Sequence, residues 1–252
     1  MTHTRRTFIR TSVSAGAALF AEVLGAREPK RGPAPSPPEP PRQTEDVILL
    51  RSTDPAYASA RQVYNAGILL RPNSIALCAT DTGVQTALQR AQTENWPVAV
   101  KSGGHSFEGF SLNDDGLVVS VSPMSDLHLD PHSGLLTAGA GCRLRDVNRY
   151  LLPQGRFLPS GSCATVGLAG LTLGGGYGMF ARKWGLTCDH LRSFRMVDGT
   201  GAIHDSADDS ELLWAARGGG QRAFWHCHAT HAADASGAEG FFVLEIPRLP
   251  SR

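Results

Sequence analysis

The stretch PVAVKSGGHSFEGFS, residues 97–111, joins a short apolar strand to a glycine-rich turn. The two adjacent glycines lack a Cβ and can adopt positive φ angles, so the backbone of this turn can approach a ligand closely. Successive main-chain N–H groups in such a turn can form an anion-binding nest, and the hydroxyl groups of Ser102 and Ser106 add donors on either side. The turn therefore predicts a phosphate or pyrophosphate site with His105 at its edge. The alternative is a plain loop with a solvent-facing histidine.

A second glycine-rich stretch, PSGSCATVGLAGLTLGGGYG, occupies residues 159–178. No lysine follows its glycines, so it is not a Walker-type phosphate loop. It also fails as a dinucleotide fingerprint, which must follow a strand and open a helix within a βαβ unit. Its glycines instead favour close backbone approach to a large, flat ligand. Cys163 lies just before them, and its alternative role is that of a small buried apolar residue.

The composition restricts the class of protein. The chain has 252 residues, of which 41% are hydrophobic and 19% are charged, as expected of a globular protein with a buried core. The formal net charge of +1 does not indicate a nucleic acid or an acidic partner. The five cysteines are odd in number and widely spaced, and no C-x-x-C motif occurs, which argues against a structural zinc site and a dense disulfide framework.

The N-terminal residues predict an export signal. Arg5 and Arg6 precede a mildly apolar segment over residues 13–24, and small residues follow it. This pattern is typical of a twin-arginine signal peptide, here residues 1–26, which would bring the chain to the twin-arginine export machinery and then to the periplasm or the exterior. An amphipathic N-terminal helix is the alternative. The apolar segment is too short for a stable membrane anchor. A proline-rich, extended linker is predicted over residues 27–46.

Helical and strand periods alternate along the rest of the chain. Apolar residues at i, i+3, i+4 and i+7 predict an amphipathic helix from Asp81 to Trp96, capped by Asp81 or Thr82. A shorter helix is predicted over residues 144–151, and residues 54–67 are ambiguous. The predicted strands are residues 47–50, 74–78, 98–100, 117–121 and 135–138. The fold class is therefore α/β or α+β.

Taken together, the two glycine-rich stretches resemble the FAD-binding domain of the FAD-linked oxidases with the vanillyl-alcohol-oxidase fold, and within that family the berberine-bridge-enzyme-like branch. The motifs that carry the resemblance are SGGHS at 102–106 with Gly109 and Ser111, CATVG at 163–167, GGGYG at 174–178, LTCD at 186–189 and WAARGGG at 214–220. The resemblance implies an α+β fold, with a PCMH-type FAD-binding domain of two α/β subdomains over residues 67–220.

The resemblance also implies how the cofactor is held. In this family the histidine of SGGHS is bonded through a ring nitrogen to the flavin 8α-methyl carbon, and a cysteine of the second motif is bonded to flavin C6. The matching residues are His105 and Cys163, both of which are nucleophiles. The predicted cofactor-binding residues are Ser102, Gly103, Gly104, His105, Ser106, Gly109, Ser111, Cys163, Thr165, Val166, Gly167, Gly170, Gly174, Gly175, Gly176 and Gly178.

The implied activity is that of an FAD-dependent oxidase. Its substrate would be an alcohol, a sugar or a similar small molecule, oxidised by hydride transfer to flavin N5, with dioxygen as the acceptor. No catalytic base is predicted, because in the family that base lies in a separate substrate domain. A flavin-binding remnant without turnover and an exported protein for another anionic ligand are the alternatives.

Two features depart from the family. Ala164 stands where the family usually has proline, and residues 221–252 form an atypical tail where a substrate domain normally follows. The hypothesis is therefore a truncated or frame-shifted member that lacks the substrate domain. The histidines and the cysteine at 226–231 resemble metal ligands, but an accident of composition in this tail explains them better, so no metal site is predicted.

Overall fold

The computed structural model describes residues 46–219 and 238–247, which belong to one unit of the chain, Gln43–Arg252. The predicted signal peptide, the linker as far as residue 45, and the histidines and cysteine at 226–231 lie outside the described residues. No helix in the described ranges is long and apolar enough to cross a membrane.

The first sheet contains four strands: β1 (Val47–Arg51), β2 (Ser74–Cys78), β3 (Val98–Lys101) and β4 (Leu117–Ser120). They are ordered β1-β2-β4-β3, and β2, β4 and β3 run parallel, whereas β1 is antiparallel to β2. Every residue of β3 and β4 is buried. Parallel strands covered on both faces are apolar throughout, which explains why these strands lack polar alternation.

Helix α2 (Asp81–Glu94) follows β2, after the short helix α1 (Tyr57–Arg61). The N-cap of α2 is Thr80, one residue earlier than predicted, because its side-chain oxygen accepts the backbone N–H of Gly83 at 3.1 Å. The helix ends at Asn95, whose left-handed conformation (φ 51°) stops it before the predicted end. The predicted apolar stripe packs into the core.

The second sheet contains five antiparallel strands in the order β5-β6-β9-β7-β8. The strands are β5 (Leu127–Leu129), β6 (Leu135–Gly139), β7 (Leu191–Val197), β8 (Ile203–Asp205) and β9 (Ala238–Glu245). Only β6 is among the strands predicted from the sequence.

Strand β9 lies in the part of the sequence predicted as a tail. It pairs with both β6 and β7, so residues 238–245 are part of the second sheet. Phe242 is fully buried, and its ring stacks on that of Phe194 with the centroids 6.0 Å apart. Leu244 pairs with Leu136, and both side chains are buried. This part of the tail therefore belongs to the core.

We expect Phe242→Ala to lower the free energy of unfolding by about 3–5 kcal/mol, since it deletes a buried ring and leaves a cavity between β6 and β7. Chemical denaturation of the full chain measures the change. Phe107→Ala is the matched control, because that ring is 71% exposed and its loss leaves no cavity in the core. Equal stability of the two variants would contradict the central position of β9.

The remaining helices are α3 (Leu144–Leu151), α4 (Leu168–Leu173), α5 (Ala181–Trp184) and α6 (Ser210–Ala216). Helix α3 confirms the short predicted helix, and a 3₁₀ turn then carries the chain to Gly155 (φ 65°), which ends it. Helix α4 lies within the second glycine-rich stretch, where the sequence analysis predicts only an apolar segment between glycines. It begins directly after Gly167, which is therefore the N-cap residue of this helix.

Candidate functional site

A cavity of ≈ 700 Å³ lies where the turn after β3 meets the segment before α4. In the sequence, 47 residues separate the two glycine-rich stretches, and the fold brings them together at this cavity. The predicted site residues that line it are Ser102, Gly103, Gly104, His105, Ser106, Ser111, Cys163, Val166, Gly167 and Gly170.

The two stretches touch through their glycines. A Cβ added to Gly103 would lie 2.2 Å from the backbone nitrogen of Gly167, and one added to Gly167 would lie 2.4 Å from Ser102 Oγ. Such distances leave no room for any side chain at either position. The Ser102 hydroxyl donates to the carbonyl oxygen of Ala140 at 2.7 Å. Its hydrogen therefore anchors the turn to the segment after β6, whereas the sequence analysis assigns this hydroxyl as a donor to the bound anion.

The turn itself keeps its amide groups open. Within the described residues, the backbone N–H groups of residues 103–106 have no hydrogen-bond acceptor. Gly104 has a φ of 67°, which a residue with a side chain rarely adopts. Ser106 Oγ accepts the backbone N–H of Phe110 at 3.2 Å, which leaves its own hydrogen available to a ligand. This arrangement has the donors that an anion-binding nest requires.

His105 is half-buried between two side chains. Its Nε2 lies 2.8 Å from Thr165 Oγ1, and its ring stacks on that of Tyr64 with the centroids 4.4 Å apart. Burial and, to a smaller extent, the positive charge of Arg143 lower the pKa of His105. The lowered pKa favours the neutral imidazole, and a neutral ring keeps one nitrogen lone pair for reaction.

Cys163 is exposed at the same cavity, so the alternative of a buried apolar residue does not hold. The other three cysteines among the described residues, Cys78, Cys142 and Cys188, are buried. Burial raises the pKa of both Cys78 and Cys142 to about 12, which makes those thiols poor nucleophiles. Cys163 is thus the accessible thiol of the described part of the chain.

Two basic residues near the site are missing from the sequence-based prediction. Lys101, at the end of β3, is only 7% exposed, and burial followed by the charge of Arg143 lowers its pKa to about 8. The backbone of Arg143 pairs in antiparallel fashion with the backbone of Gly167, so Arg143 lies beside the contact between the two stretches. A charged residue that ends an apolar strand is the one signal by which Lys101 could have been found.

Six predicted site residues do not line the cavity: Gly109, Thr165, Gly174, Gly175, Gly176 and Gly178. Thr165 contacts His105 instead, and Gly109 (φ 85°) packs against Ile68. A Cβ on Gly178 would lie 1.9 Å from the carbonyl oxygen of Ser160, so that segment packs tightly on the chain before α4. Its predicted contact with a cofactor stays a prediction.

Within the described residues, no three acidic, histidine or cysteine side chains are placed to hold a metal ion.

Most of the described chain matches a known protein family. The profile of a family described as "FAD binding domain" matches residues 72–207, more than half of the chain. The chain belongs to this family of FAD-binding domains. The match includes the turn at 102–106, Cys163 and the second glycine-rich stretch.

The relatives of this FAD-binding chain are FAD-linked oxidoreductases. It is 38% identical over 178 residues to the FAD-linked oxidoreductase YgaK of Bacillus subtilis, covering 68% of this chain and 40% of that protein. It is 34% identical over 191 residues to berberine bridge enzyme-like 12 of Arabidopsis thaliana, covering 71% and 36%. The structure of 6-hydroxy-D-nicotine oxidase from Arthrobacter nicotinovorans superposes with a TM-score of 0.73 at 25% identity, covering 81% of this chain and 42% of that one.

These findings confirm the predicted α+β, PCMH-type FAD-binding fold and the predicted family, which includes berberine-bridge-enzyme-like proteins. The chain spans about 40% of the length of the curated relatives it matches. The residues at the cavity suit FAD: the open N–H groups of residues 103–106 can hold a pyrophosphate, and glycines at 103 and 167 allow close backbone approach.

Proposed function

We propose that this chain binds FAD covalently and forms the cofactor-binding part of an oxidase for an alcohol, a sugar or a similar small molecule, with dioxygen as the acceptor. The observation that carries the proposal is that His105 and Cys163 line one cavity, next to the open N–H groups of residues 103–106. FAD supplies a two-electron acceptor that takes a hydride equivalent from a substrate and returns the electrons to dioxygen.

His105 is suited to attachment through Nδ1. Its Nε2 lies 2.8 Å from Thr165 Oγ1, and the neutral tautomer that carries the proton on Nε2 and donates it to that hydroxyl oxygen is the one that leaves Nδ1 free to react. Nδ1 keeps its lone pair and has no partner among the described residues. The lowered pKa of the imidazole favours this neutral form, because burial and the charge of Arg143 both oppose a second proton.

The atoms and electrons of covalent flavin attachment balance if dioxygen is the oxidant. A bond from His105 to the flavin methyl carbon releases one hydrogen from the imidazole and one from the methyl group. A bond from Cys163 to flavin C6 releases the thiol hydrogen and the ring hydrogen. In both cases the two hydrogens leave with two electrons on dioxygen, as hydrogen peroxide.

A flavin-binding unit without turnover is the second candidate. The exposed apolar side chains of Tyr177 and Met179, 78% and 84% exposed, favour it. Clusters of exposed apolar residues mark surfaces where another protein or a ligand docks. In this second candidate the chain holds flavin, and turnover would need substrate-binding groups beyond the described cavity.

The visible spectrum of the purified full chain tests both candidates. We expect flavin absorption that stays with the protein after acid precipitation, and peroxide formation with a member of a panel of alcohols and sugars. Acid-stable flavin without peroxide on any of these substrates would favour the second candidate. A colourless protein that also fails to bind added FAD would overturn the proposal.

Export through the twin-arginine machinery to the periplasm or the exterior stays a prediction. It rests on Arg5 and Arg6 and the apolar segment after them, all outside the described residues.

A further inference from the structure

Residues 60–65, which we call the bracing segment, lie against the turn that carries His105. The backbone N–H of Tyr64 donates to the carbonyl oxygen of Gly104 at 2.9 Å. The side-chain amide of Asn65 donates to the carbonyl oxygen of Phe107, also at 2.9 Å. Two hydrogen bonds therefore hold the bracing segment on both sides of His105, although 40 residues separate the two in sequence.

The side chain of Lys101 also holds the bracing segment in place. Its ammonium group donates to the carbonyl oxygens of Ala60 and, at 2.6 Å, Gln62. These carbonyls lie at the C-terminal end of α1 and would otherwise lack a partner there. The Lys101 side chain also runs beneath the turn, since a Cβ on Gly104 would lie 3.1 Å from its Cε. A buried cation thus ties the bracing segment, β3 and the turn together.

The aromatic ring of Tyr64 is 59% exposed, so burial in the core does not explain its position. It stacks on His105 with an interplanar angle of 19°, and the ring of Phe107 meets it edge-on with the centroids 6.2 Å apart. The stack limits the plane that the imidazole can adopt, since aromatic pairs favour a narrow set of arrangements.

Stacking alone does not choose between the two faces of the imidazole. A half-turn of the ring about the Cβ–Cγ bond keeps the stack but moves Nε2 away from Thr165 Oγ1. The hydrogen bond at 2.8 Å therefore selects the ring orientation, and the stack selects the ring plane. Each contact restricts a motion that the other one permits.

We propose that Tyr64 is a positioning residue for His105, which together with Thr165 holds the imidazole in one orientation with Nδ1 as the nitrogen available for flavin attachment. The proposal deepens the proposed function and rests on it for the attachment step. The orientation of His105 itself does not require flavin, so it has a test of its own.

The first experiment measures flavin attachment in a Cys163→Ala background, where His105 is the only predicted link. Tyr64→Phe keeps the stack and Tyr64→Leu removes it, and each variant is scored for total bound flavin and for the acid-stable fraction. We expect Tyr64→Leu to bind flavin to the same total but to attach it about tenfold more slowly, as expected when a reacting group loses its alignment. Tyr64→Phe should behave as the parent does.

Trp214→Leu is the control for loss of an exposed aromatic ring away from the cavity, because Trp214 is 75% exposed, and it should attach flavin at the parent's rate. A purely structural role for Tyr64 would lower total flavin or the melting temperature and leave the acid-stable fraction unchanged. That outcome, or equal attachment rates in Tyr64→Leu and its parent, would overturn the proposal.

If the Cys163→Ala parent contains no flavin, the proposed function fails, and the orientation of His105 is then decided by nuclear magnetic resonance. In the ¹⁵N-histidine-labelled full chain, we expect one His105 signal set with the proton on Nε2. Tyr64→Leu should give a mixture of the two tautomers. An unchanged single tautomer in Tyr64→Leu would overturn the positioning role independently of any flavin.

Discussion

Replacing His105 and Cys163 together by alanine is expected to remove all acid-stable flavin from the protein. The two side chains line one cavity, and each is predicted to bond a different carbon of the flavin. Each single variant should therefore still carry acid-stable flavin through the other residue, with a shifted absorption maximum. The double variant should bind FAD through the open N–H groups of residues 103–106 alone and release it on acid precipitation.

The flavin content of pellet and supernatant, measured by absorption after precipitation, decides this result. His128→Ala is a suitable control, because that histidine is exposed on β5, away from the residues that line the cavity. It should leave all flavin in the pellet. Yellow colour in the pellet of the double variant would mean that another residue holds the cofactor.

Gly103→Ala is expected to lower the free energy of unfolding by about 3 kcal/mol or more, because the added methyl group overpacks the contact between the two glycine-rich stretches. The new Cβ would lie 2.2 Å from the backbone nitrogen and 2.8 Å from the Cα of Gly167. Backbone atoms cannot rotate away, so the turn must separate from the segment before α4. Flavin binding should fall with stability, since both stretches line the cavity.

Gly161→Ala is the matched control for Gly103→Ala. Its added Cβ would meet its nearest neighbour, a side-chain atom of Leu171, at 3.6 Å, which is an ordinary contact. Urea denaturation of both variants should show a shifted midpoint for Gly103→Ala alone. Equal midpoints would contradict the close contact between Gly103 and Gly167.

The first sheet was predictable from the sequence, whereas most of the second was not. Strands β2, β3 and β4 are covered on both faces, so each is a short apolar segment between turn residues. Strands β7 and β8 carry charged residues at exposed positions and give no clear alternation. Strand β9 owes its place to pairing with β6, about a hundred residues earlier, which no local pattern encodes.

The cofactor motif is a local property, and the sequence by itself determined it. A glycine-rich turn after a buried strand places a histidine beside open N–H groups, because glycine backbone and strand direction act over a few residues. Tertiary structure alone decided the surroundings of that histidine. Tyr64 and Thr165 contact its ring from two distant segments, and Lys101 holds the first of these segments in place, so these contacts exist only after the sheet and the helices have packed. Side-chain contacts over such separations arise from packing, which the linear order of residues does not display.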